Sequence, residues 1–301
     1  MGPEGPWGAM TRVRPAAAHA LCSSLLLLVC GRVSQAVPGP ATAEATPVGL
    51  SVAARIPVAR FLGEVVAADE GVWVAVLPAD GDGGELARID RATNTVAART
   101  ELEGVPEDIL AAEGSVWVSL WRDGPSLLEV DPRTATVVRA MPGVGGSIAE
   151  ASGRIWTTRG PREPLGIDPS SGRILASVEV AGGNGWIAGP LRGTPGAVWL
   201  VVLSPSPSGA VAEARLVGVD GGTGQVRKEV LLPPGSGAIP VADEEGVWTV
   251  WTASWSGDAS HLTRTDAVTG RAGPEASVSG AWQPFAAAGA GSGSWAAGPA
   301  A

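Results

Sequence analysis

Acid–base and metal chemistry near neutral pH draws on His, Cys, Asp and Glu, and this chain is sparing with the first two: it carries His19 and His261, Cys22 and Cys30. A general base poised near neutrality is most simply an imidazole. His261, three positions after Asp258, is therefore a candidate base; the plainer reading of one His in a polar segment is solvent exposure. Asp108, Glu163 and Asp258 are carboxylates that would hold a hard cation such as magnesium or calcium if folding brought them together. Asp80-Gly81-Asp82-Gly83-Gly84-Glu85 has the flavour of a calcium loop but lacks the third ligand and the ordered spacing of an EF-hand, so it reads as a solvated turn. No glycine-rich segment follows a strand and opens a helix, which removes a phosphate-binding loop from consideration. Aromatic recognition falls almost wholly to tryptophan, with 12 Trp against 2 Phe and no Tyr.

The first residues read as an address. Arg12 and Arg14 precede an apolar stretch from Ala16 to Cys30, too short for a membrane span, and Ser34-Gln35-Ala36 follows as a small-residue cleavage site. Residues 1–36 are expected to be a signal peptide, with translation starting at Met10 in the usual form of such segments. Cleavage after Ala36 removes His19, Cys22 and Cys30 and leaves a secreted or envelope protein without thiols. The alternative is lipid attachment at Cys30, against which Val29 is bulky where lipoprotein signals carry small residues. Residues 37–50 form a Pro/Ala/Thr-rich linker, and residues 51–301 remain as the folded domain. The net charge of −9 becomes more negative once the leader is gone, and an acidic surface repels a phosphate backbone, so nucleic acid is not an expected partner.

The elements that must position any site come from a repeat. A small or acidic residue, Gly, an aliphatic residue and Trp recur as Glu70-Gly71-Val72-Trp73, Gly114-Ser115-Val116-Trp117, Gly153-Arg154-Ile155-Trp156, Gly196-Ala197-Val198-Trp199 and Gly246-Val247-Trp248, with Gly293-Ser294-Trp295 as a degraded sixth. After each full copy an apolar residue and Asp open a short turn: Ile89-Asp90, Val130-Asp131, Ile167-Asp168, Val219-Asp220 and Thr265-Asp266. Asp accepts hydrogen bonds from the turn it opens, and Gly or Asn at the turn's end supplies a left-handed residue. The Trp residues are 39 to 49 positions apart, the period of a four-stranded propeller blade. Each unit parses as strand a (65–68, 109–112, 148–151), strand b around the Trp, strand c ending at the Asp, and strand d after the turn (95–100, 136–140, 173–180). The fold class is therefore all-β, a β-propeller of about six blades with an incomplete last blade, or a truncated seven-bladed one. Residues 52–56 resemble a strand d that closes the ring from outside. The Trp side chains are expected as wedges between blades.

With its G-x-V-W and I-D-P-x-T-G phrases, the chain resembles the bacterial superfamily of YVTN-type repeats and streptogramin (virginiamycin B) lyase over about residues 52–298. The lyase resemblance implies a catalytic His working with a carboxylate-held divalent metal. Only His261 would remain after cleavage, which departs from that pattern, so no catalytic residue carries over and no cofactor is expected.

In this architecture the d–a and b–c loops open on one end, around the central channel, where ligands usually bind. The d–a loops are expected to present Glu107, Asp108, Trp186 and Gln283, and the b–c loops Trp121, Arg122, Arg159, Trp251, Trp255 and His261. These Trp residues lie outside the repeat position; they either stack a ligand or pack beside Gly-rich loops. The expected function is an exported binding or interaction module of the cell envelope, whose partner is a small molecule, glycan or protein; the alternative is a metal-dependent lyase or hydrolase at the channel mouth.

Overall fold

The computed structural model describes residues 54–58, 61–77, 83–121, 124–180, 185–205, 211–232, 237–242, 246–252, 259–266, 272–279, 286–290 and 293–297. Beyond Leu232 it gives the backbone course alone, Val247 excepted. Among these residues every regular element is a strand. Blade 1 comprises β1 (Phe61–Ala68), β2 (Gly71–Leu77), β3 (Gly84–Asp90) and β4 (Thr95–Leu102), and blade 2 comprises β5 (Val105–Ala112), β6 (Ser115–Trp121), β7 (Pro125–Asp131) and β8 (Thr136–Pro142). Blade 3 is β9 (Gly145–Ala151), β10 (Arg154–Arg159), β11 (Glu163–Ile167) and β12 (Ile174–Ser177); blade 4 is β13 (Trp186–Thr194), β14 (Ala197–Pro205), β15 (Val211–Asp220) and β16 (Val226–Leu232). Blade 5 is β17 (Gly237–Ala242), β18 (Gly246–Thr252), β19 (Ala259–Asp266) and β20 (Ala272–Ser279), and β21 (Ala286–Ala290) pairs with β22 (Gly293–Ala297) as a two-stranded sixth unit. Each of the five complete sheets is an antiparallel meander in chain order.

The first strands of successive blades, β1, β5, β9, β13, β17 and β21, are neighbours and line the axis, while the fourth strands form the rim. Burial follows from that placement. β6 is buried on both faces except at its ends, because a blade stands on either side of it, whereas the rim strand β4 alternates exposed and half-buried residues. At the inner junction of blades 3 and 4 the backbones come so close that a Cβ on Gly193 would overlap the Glu150 carbonyl oxygen, so glycine is required there.

The wedge expectation holds at four junctions. Trp73, Trp117, Trp156 and Trp199 are 0–1% exposed. Trp73 packs with Val116, Val118 and Val130 of blade 2, Trp117 with Ile148, Ile155 and Leu165 of blade 3, Trp156 with Val198, Leu200 and Val217 of blade 4, and Trp199 with Val247 of blade 5. Gly166 and Gly218, directly opposite Trp156 and Trp199 in strand c, leave room for the indoles. Opposite Trp73 stands Arg88, whose guanidinium lies 5.9 Å from the ring centroid and donates to the Pro132 and Arg133 carbonyls of blade 2 at 2.6 and 3.0 Å. Arg139 does the same from blade 2, reaching the Pro169 and Ser170 carbonyls at 3.1 and 2.9 Å.

The turn expectation holds as well. Asp168 Oδ1 accepts from the Ser170 N–H (2.9 Å), the Ser170 hydroxyl (2.7 Å) and the Ser171 N–H (3.3 Å), and Asp90, Asp131 and Asp220 are engaged in the same way. Hydrogen bonds to the charged form hold all four carboxyls below their ordinary value, that of Asp168 at about 2. The left-handed residue is Asn94, Gly172 or Gly224 in three of these turns, but Ala135 (φ 56) in the fourth, which neither Gly nor Asn fills.

Two expectations are corrected. Residues 54–58 are not a strand; Ile56 and Val58 instead lie on the blade 1 face formed by Val74, Val76, Ala87 and Ile89, and the Val58 carbonyl accepts from Arg99 at 3.0 Å. The strand expected over 173–180 is shorter, Ile174–Ser177. Residues 1–53, with the signal peptide and linker, lie outside the described residues.

Candidate functional site

Most of the side chains expected on loops stand on strands. Glu107 and Asp108 belong to β5, Trp121 ends β6, Arg159 ends β10, Trp186 opens β13, Trp251 lies in β18 and His261 in β19. They do share the end of the molecule where strands a begin and strands b end. Trp251 and His261 are direct partners across the β18–β19 ladder. Arg122, Trp255, Asp258 and Gln283 lie outside the described residues.

Trp121 is 53% exposed beside Val105 and Pro125, its ladder partners. Trp186 instead packs against the Trp199 cluster, the structural alternative for an extra aromatic. Arg159 faces Glu163 Oε1 at 3.5 Å, and Glu163 also accepts from the Ser177 hydroxyl, so both are tied up at the outer part of blade 3.

The innermost strands carry a feature absent from the sequence reading. In blades 1 to 4 strand a breaks register at the same level: between Leu62 and Val65, at Glu107, between Gly145 and Ala149, and between Ala188 and Arg192. A bulge re-aims side chains, and these bulges place polar groups at the axis. Asp108 Oδ1 accepts from its neighbour Ile109 N–H (2.9 Å), and its Oδ2 accepts from the Ser147 hydroxyl (2.9 Å) and the Ile148 N–H (2.8 Å) of blade 3. Ser147 Oγ in turn accepts from the Leu191 N–H of blade 4 at 2.8 Å. One hydrogen-bonded line thus joins three blades along the channel wall.

The electrostatics of this wall are the reverse of those at the turns. Loss of water pushes the Asp108 carboxyl up, against the pull of its three donors and of Arg192. Crowding by the wall raises Glu64, the Asp108 charge adds to that, and Arg192 opposes it. Glu107 is raised by the same crowding and by Asp108. Glu64, Ser147 and Arg192 were not among the sequence candidates. The signal for two of them was available: Glu64, Asp108 and Ser147 each stand nine positions before a wedge Trp. Among the described residues no group of three or more His, Cys, Asp or Glu is placed to hold a metal ion, and Asp108 and Glu163 stand in different parts of the fold.

No protein-family model matches the chain, and no curated protein matches it. Solved structures do. The WD40 domain of Neurospora crassa Pan2 is 12% identical with a TM-score of 0.50, covering 69% of this chain and 62% of that one. The chain is a β-propeller. BamB from Moraxella catarrhalis is 12% identical over 78% of this chain and 81% of that one, with a TM-score of 0.49. Apo AztD from Citrobacter koseri is 14% identical over 72% and 60%, with a TM-score of 0.47. Likeness at such identity speaks of fold alone, and fold does not carry function. For this propeller, function has to be argued from the end that bears Trp121 and the charged channel.

Proposed function

We propose that this propeller is an exported binding module of the cell envelope, taking a small molecule, glycan or protein at the end where strands a begin. The observation that carries the reading is Trp121: a large aromatic left 53% exposed at the end where strands a begin, while the four repeat Trp residues described with their side chains are buried as wedges. An exposed indole gives contact area at low entropic cost, the usual anchor of a recognition surface. Export rests on the charged, apolar and small-residue order of residues 1–36. Among the described residues no helix is long and apolar enough to cross a membrane. The G-x-V-W and I-D-P phrases support a place among the YVTN-type repeat propellers.

Photo-crosslinking from position 121 tests the reading, with position 92 on the opposite, turn-bearing end as control. Discrete adducts from position 121 and none from position 92, in envelope fractions of cells making the full chain, are expected. Equal labelling from both, or confinement of the protein to the cytoplasm, overturns it. Calorimetry with magnesium and calcium supplies the opposing test: a tight, stoichiometric ion that raises the melting temperature replaces the binding module with a metal-dependent lyase or hydrolase.

A further inference from the structure

The junction between blades 2 and 3 differs from its neighbour in what it buries. Ser119 stands two residues beyond Trp117 on β6 and shares its face, and its ladder partner Leu127 belongs to the Trp117 cluster. Thr157 stands two residues beyond Ile155 on β10, and its ladder partner Leu165 belongs to the same cluster. Both hydroxyls therefore face into this junction, one from each blade. Both residues are 0% exposed, and neither Ser119 Oγ nor Thr157 Oγ1 has a hydrogen-bond partner. Ala75 and Val118 hold the same two places in the blade 1–2 junction, so packing blades together does not call for hydroxyls. Buried polar groups without a partner are rare, and each calls for an explanation.

The register sets the two hydroxyls at one level. Ser119 is the ladder partner of Asp108 on β5. Thr157 lies opposite residues 146–148 of β9, where the pairing passes from Trp156–Ala149 to Thr158–Gly145. At this level the inner strands are tied together, because Asp108 Oδ2 accepts from the Ser147 hydroxyl (2.9 Å) and the Ile148 N–H (2.8 Å). Ser119 and Thr157 thus stand one strand further out, on the two walls of the junction, with Asp108 beside them. The carboxylate has an acceptor position left. Oδ2 holds two donors, while Oδ1 holds one, the Ile109 N–H at 2.9 Å, and each carboxylate oxygen has about two positions to fill.

We propose that one buried water molecule bridges Ser119 Oγ, Thr157 Oγ1 and Asp108 Oδ1 in this junction. Water accepts from both hydroxyls and donates one of its own protons to the free position on Asp108. Those three bonds are the usual complement of a buried water. A metal cation fits the same oxygens less well, because it takes their lone pairs and leaves both hydroxyl protons without an acceptor. The water extends the Asp108 link between strands a outward to strands b, and it is independent of any ligand held at Trp121.

Equilibrium urea unfolding of the full chain tests this with Ser119→Ala, Thr157→Val and the double variant, which introduce the residue types already present in the blade 1–2 junction. Each single substitution takes one partner from the water and is expected to lower the folded-to-unfolded ratio about threefold to tenfold, the scale of one hydrogen bond. The double variant leaves no hydroxyl to satisfy and is expected to lose less than the product of the two single losses. In a dry junction each substitution removes an unsatisfied hydroxyl and raises the ratio; that result, or losses that simply multiply, overturns the proposal. So does a sodium-dependent rise in melting temperature that the double variant lacks, which assigns the place to an ion. A crystal structure of the unaltered chain gives a readout free of any variant. Solvent density within hydrogen-bonding distance of both hydroxyls and Asp108 is expected, and a junction without it overturns the site.

Discussion

The four wedge Trp residues share an oddity that sets a quantitative test: the Nε1–H of Trp73, Trp117, Trp156 and Trp199 is buried with no hydrogen-bond partner. At Trp117 the neighbours are Leu127, Val144, Ile148, Ile155, Leu165 and Ile167, all apolar and nearly inaccessible. Trp117→Ala empties this pocket and is expected to cost about 3–5 kcal/mol. Trp117→Phe keeps most of the ring. It forfeits the hydrophobic contacts of roughly two methylene equivalents, about 1.6 kcal/mol, and it removes a buried, unsatisfied donor whose burial costs about 1–3 kcal/mol. These terms oppose each other, so Phe is expected within about 1 kcal/mol of the parent. Urea unfolding followed by circular dichroism measures both variants, with an unchanged slope required because repeat arrays can unfold in parts. A Phe variant nearly as damaged as the Ala variant would refute the reasoning, since the indole donor must then be satisfied by a buried water whose bond the substitution destroys.

Gly193→Ala forces a methyl into the Glu150 carbonyl and is expected to cost at least about 2–3 kcal/mol or prevent soluble expression. Gly222→Ala, whose Cβ would meet only ordinary contacts, serves as control, and thermal melts compare the two. The turn carboxyls are held low, so their stabilising contribution is complete above an ordinary Asp value of about 4 and is lost as pH falls through the folded value, about 2 for Asp168. Asp168→Ala is therefore expected to lower the melting temperature at pH 7 and to flatten its decline between about pH 4 and 2; parallel curves for the two proteins would contradict this. Glu64 has the opposite sign. Its raised carboxyl favours the fold only below the unfolded value and loses that contribution as pH rises through the folded one. Glu64→Gln is expected to raise the melting temperature at pH 7, with the gain gone below about pH 4, as fluorimetric melts across pH would show; an equal gain at both ends counts against a charge effect.

The blade architecture was legible because Trp and Asp mark fixed places in every unit. A Trp fits a junction between blades wherever strand b passes, and an Asp caps a hairpin wherever strand c ends, so both leave a period in the sequence. The channel wall was not legible in the same way. Strand a was expected to begin near Val65, Ile109 and Ile148, where the apolar alternation resumes, yet it begins four, four and three residues earlier, at Phe61, Val105 and Gly145. The bulges account for the error: they break the period of two that marks a strand, and so Glu107 and Asp108 read as loop residues. Arg192 was hidden for a related reason. It is the ladder partner of wedge Trp199, a place held by Val66, Leu110 and Ala149 in the other units, so a charge there breaks the pattern of the repeat without creating one. Trp186 shows the reverse failure, since an aromatic outside the repeat position still found a place in the core.

The carboxylates of this protein fall into two populations, and the contrast bears on where function lies. Asp90, Asp131, Asp168 and Asp220 each receive turn donors, and their charge stabilises the fold. Loss of water raises the carboxyls of Glu64, Glu107 and Asp108 on the innermost strands, the Asp108 charge adds to the first two, and their charge works against the fold. Nothing in blade assembly demands that second set. Ser147 accepts from the following blade with a neutral hydroxyl, so a hydroxyl at position 108 would suffice to link blades 2 and 3, and an apolar residue at position 64 would leave the Trp73 wedge untouched. Local choices that oppose the stability of the fold are expected at functional sites. The charged channel meets that criterion, and the capped turns do not.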